Sequence, residues 1–537
     1  MTPKLKKSTK MKKLLLVATL FVSALQAQTI KFSFSDEFET VKKYQELGFR
    51  KLDNKTYADL YYRKGEGMIF QTFDDKFQKL RSQETVKLPE ETEKAGNEGI
   101  HSLKNKMYWF YATWDRDAQL ERLFALPFNK KSMDFEGSPV KMIETSKLAS
   151  LMGTGKYTYN YSTDTSMLLV TYRVKPTERR QKNIIDVIGF NLYDNNMKLL
   201  YAAEIEMPYS AADMDNLDYE VDAKGNIYML TSVKLNNAVE GKDNSDVKNA
   251  IRYELNMINK KTNKMEATKI TLDNKFVHSV LLQEDRKHDL VITGYYSNNQ
   301  RSGGVNGAYL IRLDMNDNGT IKGLKTTYCD FPQEVLESYE SERTKRKMEK
   351  KEDKGVLEAS HLTLRDLEFN DDGSVLIVGE EYYYTVQTHT SGNMTYTTYT
   401  YYYNEILAMM VDKDGKTKWC TKIPKFQTGN NTTIGLGFHF HQIKGQYYFF
   451  YLDNKKNQNL ALNQPPAAHL AGAGGFLACV KLDENGKMSK QYIFDSKEQD
   501  VRLDPSGFTS VNDNLIIDRL REDKKNSKVF RLEIPLK

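Results

Sequence analysis

Cysteine is scarce: Cys329, Cys420 and Cys479 are the only three in 537 residues. An odd, widely scattered set argues against a disulfide framework, and with no CxxC pair it offers no metal knuckle. Buried strand thiols are the expected fate of such residues. Proline is also sparse, at 12 residues, and no Pro/Ser/Gly-rich linker divides the chain. Beyond Leu25 no apolar run reaches transmembrane length. His-Glu-x-x-His, a nucleophile elbow and a phosphate-binding loop are all missing, so the common signatures of zinc peptidases, α/β-hydrolases and nucleotide enzymes do not apply.

A charge excess is missing too, once the N-terminus is set aside. Lys4, Lys6, Lys7, Lys10, Lys12 and Lys13 precede an apolar run from Leu14 to Leu25, with small residues at Ala24 and Ala27 before Gln28. That pattern predicts a secretory signal over residues 1–27 and export to the periplasm, the extracellular space or the cell surface. No cysteine follows the expected cut, so no lipid anchor is expected. Lysine plus arginine total 78 against 72 acids, and the signal holds six lysines and no acid, leaving 72 against 72. A neutral mature chain gives no reason to expect a nucleic-acid partner.

What is present is repetition. Leu362–Phe369, a turn at Asn370–Gly373, Val375–Tyr384, a long polar excursion, Asn404–Val411, a turn at Asp412–Gly415 and Thr417–Ile423 read as four strands of one antiparallel blade. Units with turn residues at corresponding offsets run over 49–88, 99–144, 157–207, 218–272, 276–328, 437–494 and 508–534. The fold class predicted is all-β, a single β-propeller of four-stranded antiparallel blades over residues 28–537. The count is eight, or seven if the weak first unit is discounted. The last unit has room for three strands, so Thr29–Phe34 is expected to complete it and close the ring. A charged helical insertion is expected over 332–355, its apolar residues Val335, Leu336, Tyr339 and Met348 able to dock on the ring.

In such a blade the B-to-C loops and D-to-A crossovers emerge on one face, and the A-to-B and C-to-D turns on the other. The long connections, 175–183, 235–249, 297–307, 385–402 and 453–475, are all B-to-C, so one face is decorated and one bare. Long loops on a rigid scaffold are where binding residues sit. The most distinctive is the protruding Tyr/Thr hairpin over 385–402. Its candidate binding residues are Tyr384, Tyr396, Tyr399, Tyr401 and Tyr402, flat rings suited to a glycan, an extended peptide or a partner protein. The competing reading is that these rings only pack the two hairpin strands together.

The second candidate is the central channel, lined by the A strands. His101, His278, His439 and His441, half of the eight histidines, fall on predicted A strands, and Asp218, Arg365 and Asp366 would add charge there. His439 and His441 should project to the same side. With a third histidine they would offer a divalent metal an open position for water. No conventional zinc spacing accompanies them; no cofactor is predicted, and a channel metal held by His439 and His441 is the weaker alternative. Asp314–Gly319 begins like a calcium loop but has Lys325 at its twelfth position, and is read as a turn.

Gly294-Tyr-Tyr-Ser297, Gly307-Ala-Tyr309, Leu364-Arg-Asp366, Glu380-Glu-Tyr382, Tyr403-Asn-Glu-Ile406, Ile423-Pro-Lys-Phe-Gln427 and Tyr451-Leu-Asp-Asn454 together resemble a family of uncharacterised exported propeller-like proteins of Gram-negative bacteria. The resemblance covers residues 157–494. It implies export and the fold, and it supplies no activity and no catalytic residue. The reading that follows is a non-catalytic binding scaffold acting through its long-loop face, with a channel-sited hydrolase or lyase as the alternative.

Overall fold

The protein is described by a computed structural model over residues 29–536, apart from 90–91, 93–94, 149–154, 177–183, 235–250, 274, 299–303, 317, 341–344, 347, 349, 351–357, 392–393 and 522–524. The export signal, all of the 235–249 loop, and much of 175–183 and 297–307 lie outside the described residues.

Eight sheets, each with four principal antiparallel strands in meander order, follow one another along the chain. Blades one to seven span 45–86, 96–145, 157–210, 214–270, 276–330, 362–423 and 439–495. Blade eight is built from Thr509–Asn512, Leu515–Arg521 and Asn526–Glu533 and is completed by Lys31–Phe34, paired from Lys31 opposite Glu533 to Phe34 opposite Phe530. Residues 31–34 therefore fill the edge that three strands would have left open. The ring has eight blades, the larger of the two expected counts.

The buried apolar side chains fall into eight clusters, and each lies between consecutive blades. Phe70 of blade one stacks on Phe128 of blade two, with centroids 5.0 Å apart. Successive clusters continue around to Phe450, Leu477, Ile516 and Phe530 between blades seven and eight. Tyr57, Phe73, Phe77, Ile517 and Val529 join blade eight back to blade one. The middle strands are apolar on both faces because each sheet is covered on both sides. Strands such as Leu290–Ser297, buried along their whole length, follow from this.

The turns of the bare face explain the recurrence in the sequence. In Asp222–Asn226, Asn316–Thr320, Asn370–Ser374, Asp412–Lys416 and Asp483–Lys487 the first N–H donates to the fifth carbonyl and the glycine N–H to the first, at 2.8–3.2 Å. The glycine sits at φ +75° to +86° in all five, a conformation costly for a side chain with a Cβ. These turns also lock neighbours together. Trp419 Nε1 of blade six donates to the Glu484 carbonyl in the blade-seven turn at 2.9 Å, and Gly486 leaves the space its indole fills.

Loop lengths divide the two faces. The B-to-C links are short in blades one, two and eight and long in blades three to seven, while the A-to-B turns are short throughout the described residues. Within the insertion, Gln333–Leu336 form a single helical turn, and most of residues 341–357 lies outside the described residues. Leu336, Val335 and Met348 pack on the cluster between blades five and six, and Tyr339 Oη donates to the Lys422 carbonyl at 2.9 Å. Cys329 and Cys479 are buried and Cys420 half-buried, all three as free thiols in strands. No helix among the described residues is long and apolar enough to cross a membrane.

Candidate functional site

The A strands line the ring's inner wall, and their polar side chains bind the next A strand. Leu282 N–H of blade five donates to Asp218 of blade four at 2.9 Å, and Glu284 N–H donates to Glu220 at 3.1 Å. The Glu284 carboxylate in turn accepts from Thr163 N–H of blade three and Ala223 N–H of blade four, both at 3.0 Å. Burial raises Asp218 above the usual carboxylate range and pushes Glu220 up to about 8.

The histidines do not meet at one point. His101 stacks on Phe110 with centroids 4.0 Å apart, donates from Nε2 to the Glu98 carbonyl at 3.1 Å and accepts from Tyr161 Oη of blade three. His439 and His441 do share a side of their strand, and both reach Ser510 Oγ of blade eight, at 2.9 and 2.8 Å. His441 Nε2 must be the donor to the Asp513 carbonyl at 3.0 Å, so its Nδ1 accepts from Ser510 and Ser510 accepts from His439. Burial pushes His101 and His439 down to about 4 and lowers His441 as well. His101 and His441 thus have both ring nitrogens engaged.

His278 corrects the expected placement. The A strand of blade five is split into Phe276–Val277 and Leu281–Glu284, and His278 lies in the break, its N–H donating to the Tyr295 carbonyl at 2.9 Å. Among the described residues no three His, Cys, Asp or Glu side chains are placed to share a metal ion. Three of the seven channel candidates are brought together all the same: His278, Arg365 and Asp366 line a cleft of about 450 Å³ between the A strands of blades five and six. Burial raises Asp366 and lowers His278.

Arg365 is the extra residue of a β-bulge between Leu364 and Asp366, and bulges recur at the same place in blades one, two and four. A bulge re-aims the side chain it carries. Arg365 Nη2 lies 2.8 Å from Glu380, whose other oxygen is 2.8 Å from Lys425 Nζ. Lys425 is wholly buried and also donates to the Tyr403 carbonyl at 2.8 Å and to Gln427 at 3.1 Å. The guanidinium then stacks under two rings, 5.3 Å from the centroid of Tyr382 and 5.8 Å from that of Tyr403. Glu380 and Lys425 were not among the sequence candidates. Their signal was a charge set inside apolar runs.

Those two tyrosines begin the hairpin. Val375–Ser391 and Met394–Val411 continue far beyond the rest of blade six, pairing Tyr382 with Tyr403, Tyr384 with Tyr401 and Val386 with Tyr399 on one face. Tyr383 stacks on Tyr402 at 4.6 Å and His389 on Tyr396 at 5.0 Å on the other. Directly opposite residues share a face, so Tyr382, Tyr403, Tyr384, Tyr401 and Tyr399 form one aromatic strip leading away from Arg365. Gln427–Asn430 pairs along Thr400–Tyr403 and His469–Leu470 pairs along Gln427–Thr428, widening the base into a small platform. Both readings of the tyrosines hold in part: the rings pair across strands, yet Tyr384, Tyr396 and Tyr399 stay 54%, 58% and 41% exposed. Of the candidates, Tyr401 and Tyr402 are only half-buried at the hairpin base.

No family model matches the chain. No curated protein matches it either. Among solved structures, an uncharacterised protein from Listeria monocytogenes is similar over 80% of this chain and 92% of its own, at 8% identity and TM-score 0.35. The β-propeller domain of the Trilobed protease from Pyrococcus furiosus is similar over 87% and 98%, at 8% identity and TM-score 0.33. Prolyl oligopeptidase B from Galerina marginata is similar over 92% of this chain but 54% of its own, at 8% identity and TM-score 0.35. At these values no activity, substrate or partner passes to this chain.

Proposed function

We propose that this protein is an exported binding scaffold that engages a glycan, peptide or partner protein on the long-loop face, with the aromatic strip above blade six as its centre. One observation carries the reading. Of the thirteen large apolar side chains exposed among the described residues, Tyr384, Val386, Met394, Tyr396, Tyr399 and Leu470 belong to the hairpin and its platform, Ile434 follows the platform strand, and Trp114, Ile185 and Ile251 stand on the same face, while Leu199 and Leu200 flank a turn of the opposite face and Leu536 lies near the C-terminus. Exposed apolar surface concentrated in one region marks an interaction site. Tyrosine pairs supply flat contact area with few rotors to freeze, and phenol tips that hydrogen-bond. Arg365 links the strip to the cleft below, so a ligand lying along the rings would end beside a cation.

A glycan array and a peptide library, probed with the wild type and with a variant whose residues 385–402 are replaced by a tight turn, test the proposal. Binding by the wild type that the variant loses is expected; ligands held equally by both would remove the hairpin from the site. Export is tested separately, by fractionating cells and sequencing the N-terminus of the mature chain, which should start at Gln28.

A further inference from the structure

The outermost strand of every blade is an edge with unpaired main-chain groups, and such edges invite other chains to pair with them. In this molecule all eight carry ionised side chains, from Arg81 and Glu84 in blade one to Lys490 in blade seven and Lys31 in blade eight. Charge at an edge is the usual protection against sheet-to-sheet association.

The hairpin has a further edge, and among the described residues nothing pairs with it beyond Tyr382. Tyr383–Ser391 pairs with Met394–Tyr402 on one side. On its other side the last main-chain contact among the described residues is the Tyr382 N–H donating to the His361 carbonyl at 3.0 Å. From Tyr382 to Tyr403 there is no Asp, Glu, Lys, Arg or Pro, in a chain that is 28% charged. The free stretch is fully extended, about 30 Å long at the usual rise per residue. Its side chains from Tyr384 to Thr390 are exposed.

The geometry points to antiparallel pairing of this edge with the same edge of a second copy of the chain. Alternating N–H and C=O groups at strand spacing are satisfied in register only by another extended polypeptide. A two-fold contact sets each residue against residues of the same stretch. At the eight blade edges that would carry Asp, Glu, Lys or Arg side chains into the contact, whereas this stretch holds none. Antiparallel pairing also keeps the two faces of a sheet distinct, so both aromatic strips would lie on one side of a continuous four-stranded platform. The pairing does not depend on whether the strip binds a ligand.

Sedimentation velocity on the mature chain from about 1 µM to about 100 µM, a range suited to a small contact, should show the mass double towards the upper end. Deuterium exchange at Tyr383–Ser391 should slow over the same range. The variant Thr385→Lys/Gln387→Lys places two like charges on the edge, on the face away from the strip, and should remain a monomer throughout with an unchanged circular dichroism spectrum. The turn replacement of residues 385–402 should do the same. A wild type that stays monomeric, a dimer that survives both variants, or edge protection that arises only on adding a foreign peptide would each overturn the pairing. Ligand binding retained by the lysine variant would separate this contact from the strip's own role.

Discussion

Blade six contains two regions that handle polarity in opposite ways. On its inner strand, Leu362–Phe369, Arg365 is tied to buried Glu380, Asp366 is raised by burial, and Glu368 bonds Arg286 of blade five. On its outward hairpin, the side chains from Tyr384 to Thr390 are exposed and include no Asp, Glu, Lys or Arg. His101, His439, His441 and the carboxylates of Asp218, Glu220 and Glu284 bridge one blade to the next, whereas the exposed surface of the hairpin is aromatic. A polar residue in a ring of sheets is first a tie between neighbours, because the A strands approach closely and their side chains must satisfy one another.

The contrast can be tested by cutting ties on each side. Lys425→Ala should have the largest effect, about 3 kcal/mol lost in urea unfolding, since it leaves one oxygen of the buried Glu380 carboxylate and the Tyr403 carbonyl without the ammonium they face. Next comes acid. Burial holds native His101 near pKa 4, while the unfolded chain titrates near 6.5, so between those values the unfolded state binds the extra proton and stability falls as pH falls. His101→Gln should remove up to about 3 kcal/mol of that acid loss. Asp59 and Asp518, pushed up to about 7 by burial, titrate with the opposite sign in the same range. The difference between variant and wild type across pH 4–6.5 is therefore the quantity to measure.

Ser510→Ala, which unlinks His439 from His441 across blades seven and eight, should cost about 1 kcal/mol in thermal unfolding. Tyr384→Ala should change stability least, within about 0.5 kcal/mol, because its ring is more than half exposed. A destabilisation of Tyr384→Ala as large as that of Lys425→Ala would break the comparison, by making the strip part of the core.

Much of the architecture was legible in the sequence. The Asp/Asn-to-Gly turns occur at fixed offsets because each blade needs the same left-handed residue to reverse direction, and the missing fourth strand after Lys528 could be matched to the orphan Thr29–Phe34. The hairpin too was visible, as a tyrosine-rich run with a tip near Ser391. Less legible were the partners of the candidates. His278 fell on a predicted strand but lies in a break, and nothing near His101 in the chain points to Tyr161. Glu380 and Lys425 lie 45 residues apart in the chain and become a pair only when the crossover folds back under the hairpin.

Local chemistry set the strands, the turns and a hairpin free of Asp, Glu, Lys and Arg, since each depends on residues a few positions apart; the pairing of residues 45–86 into a full sheet decided for eight blades over seven. Which ionisable groups face one another, and which aromatic rings remain in water, was decided only when eight sheets closed on themselves. That closure is what puts Ser510 between two histidines and a lysine with no solvent beneath Tyr403, and no spacing along the chain encodes it.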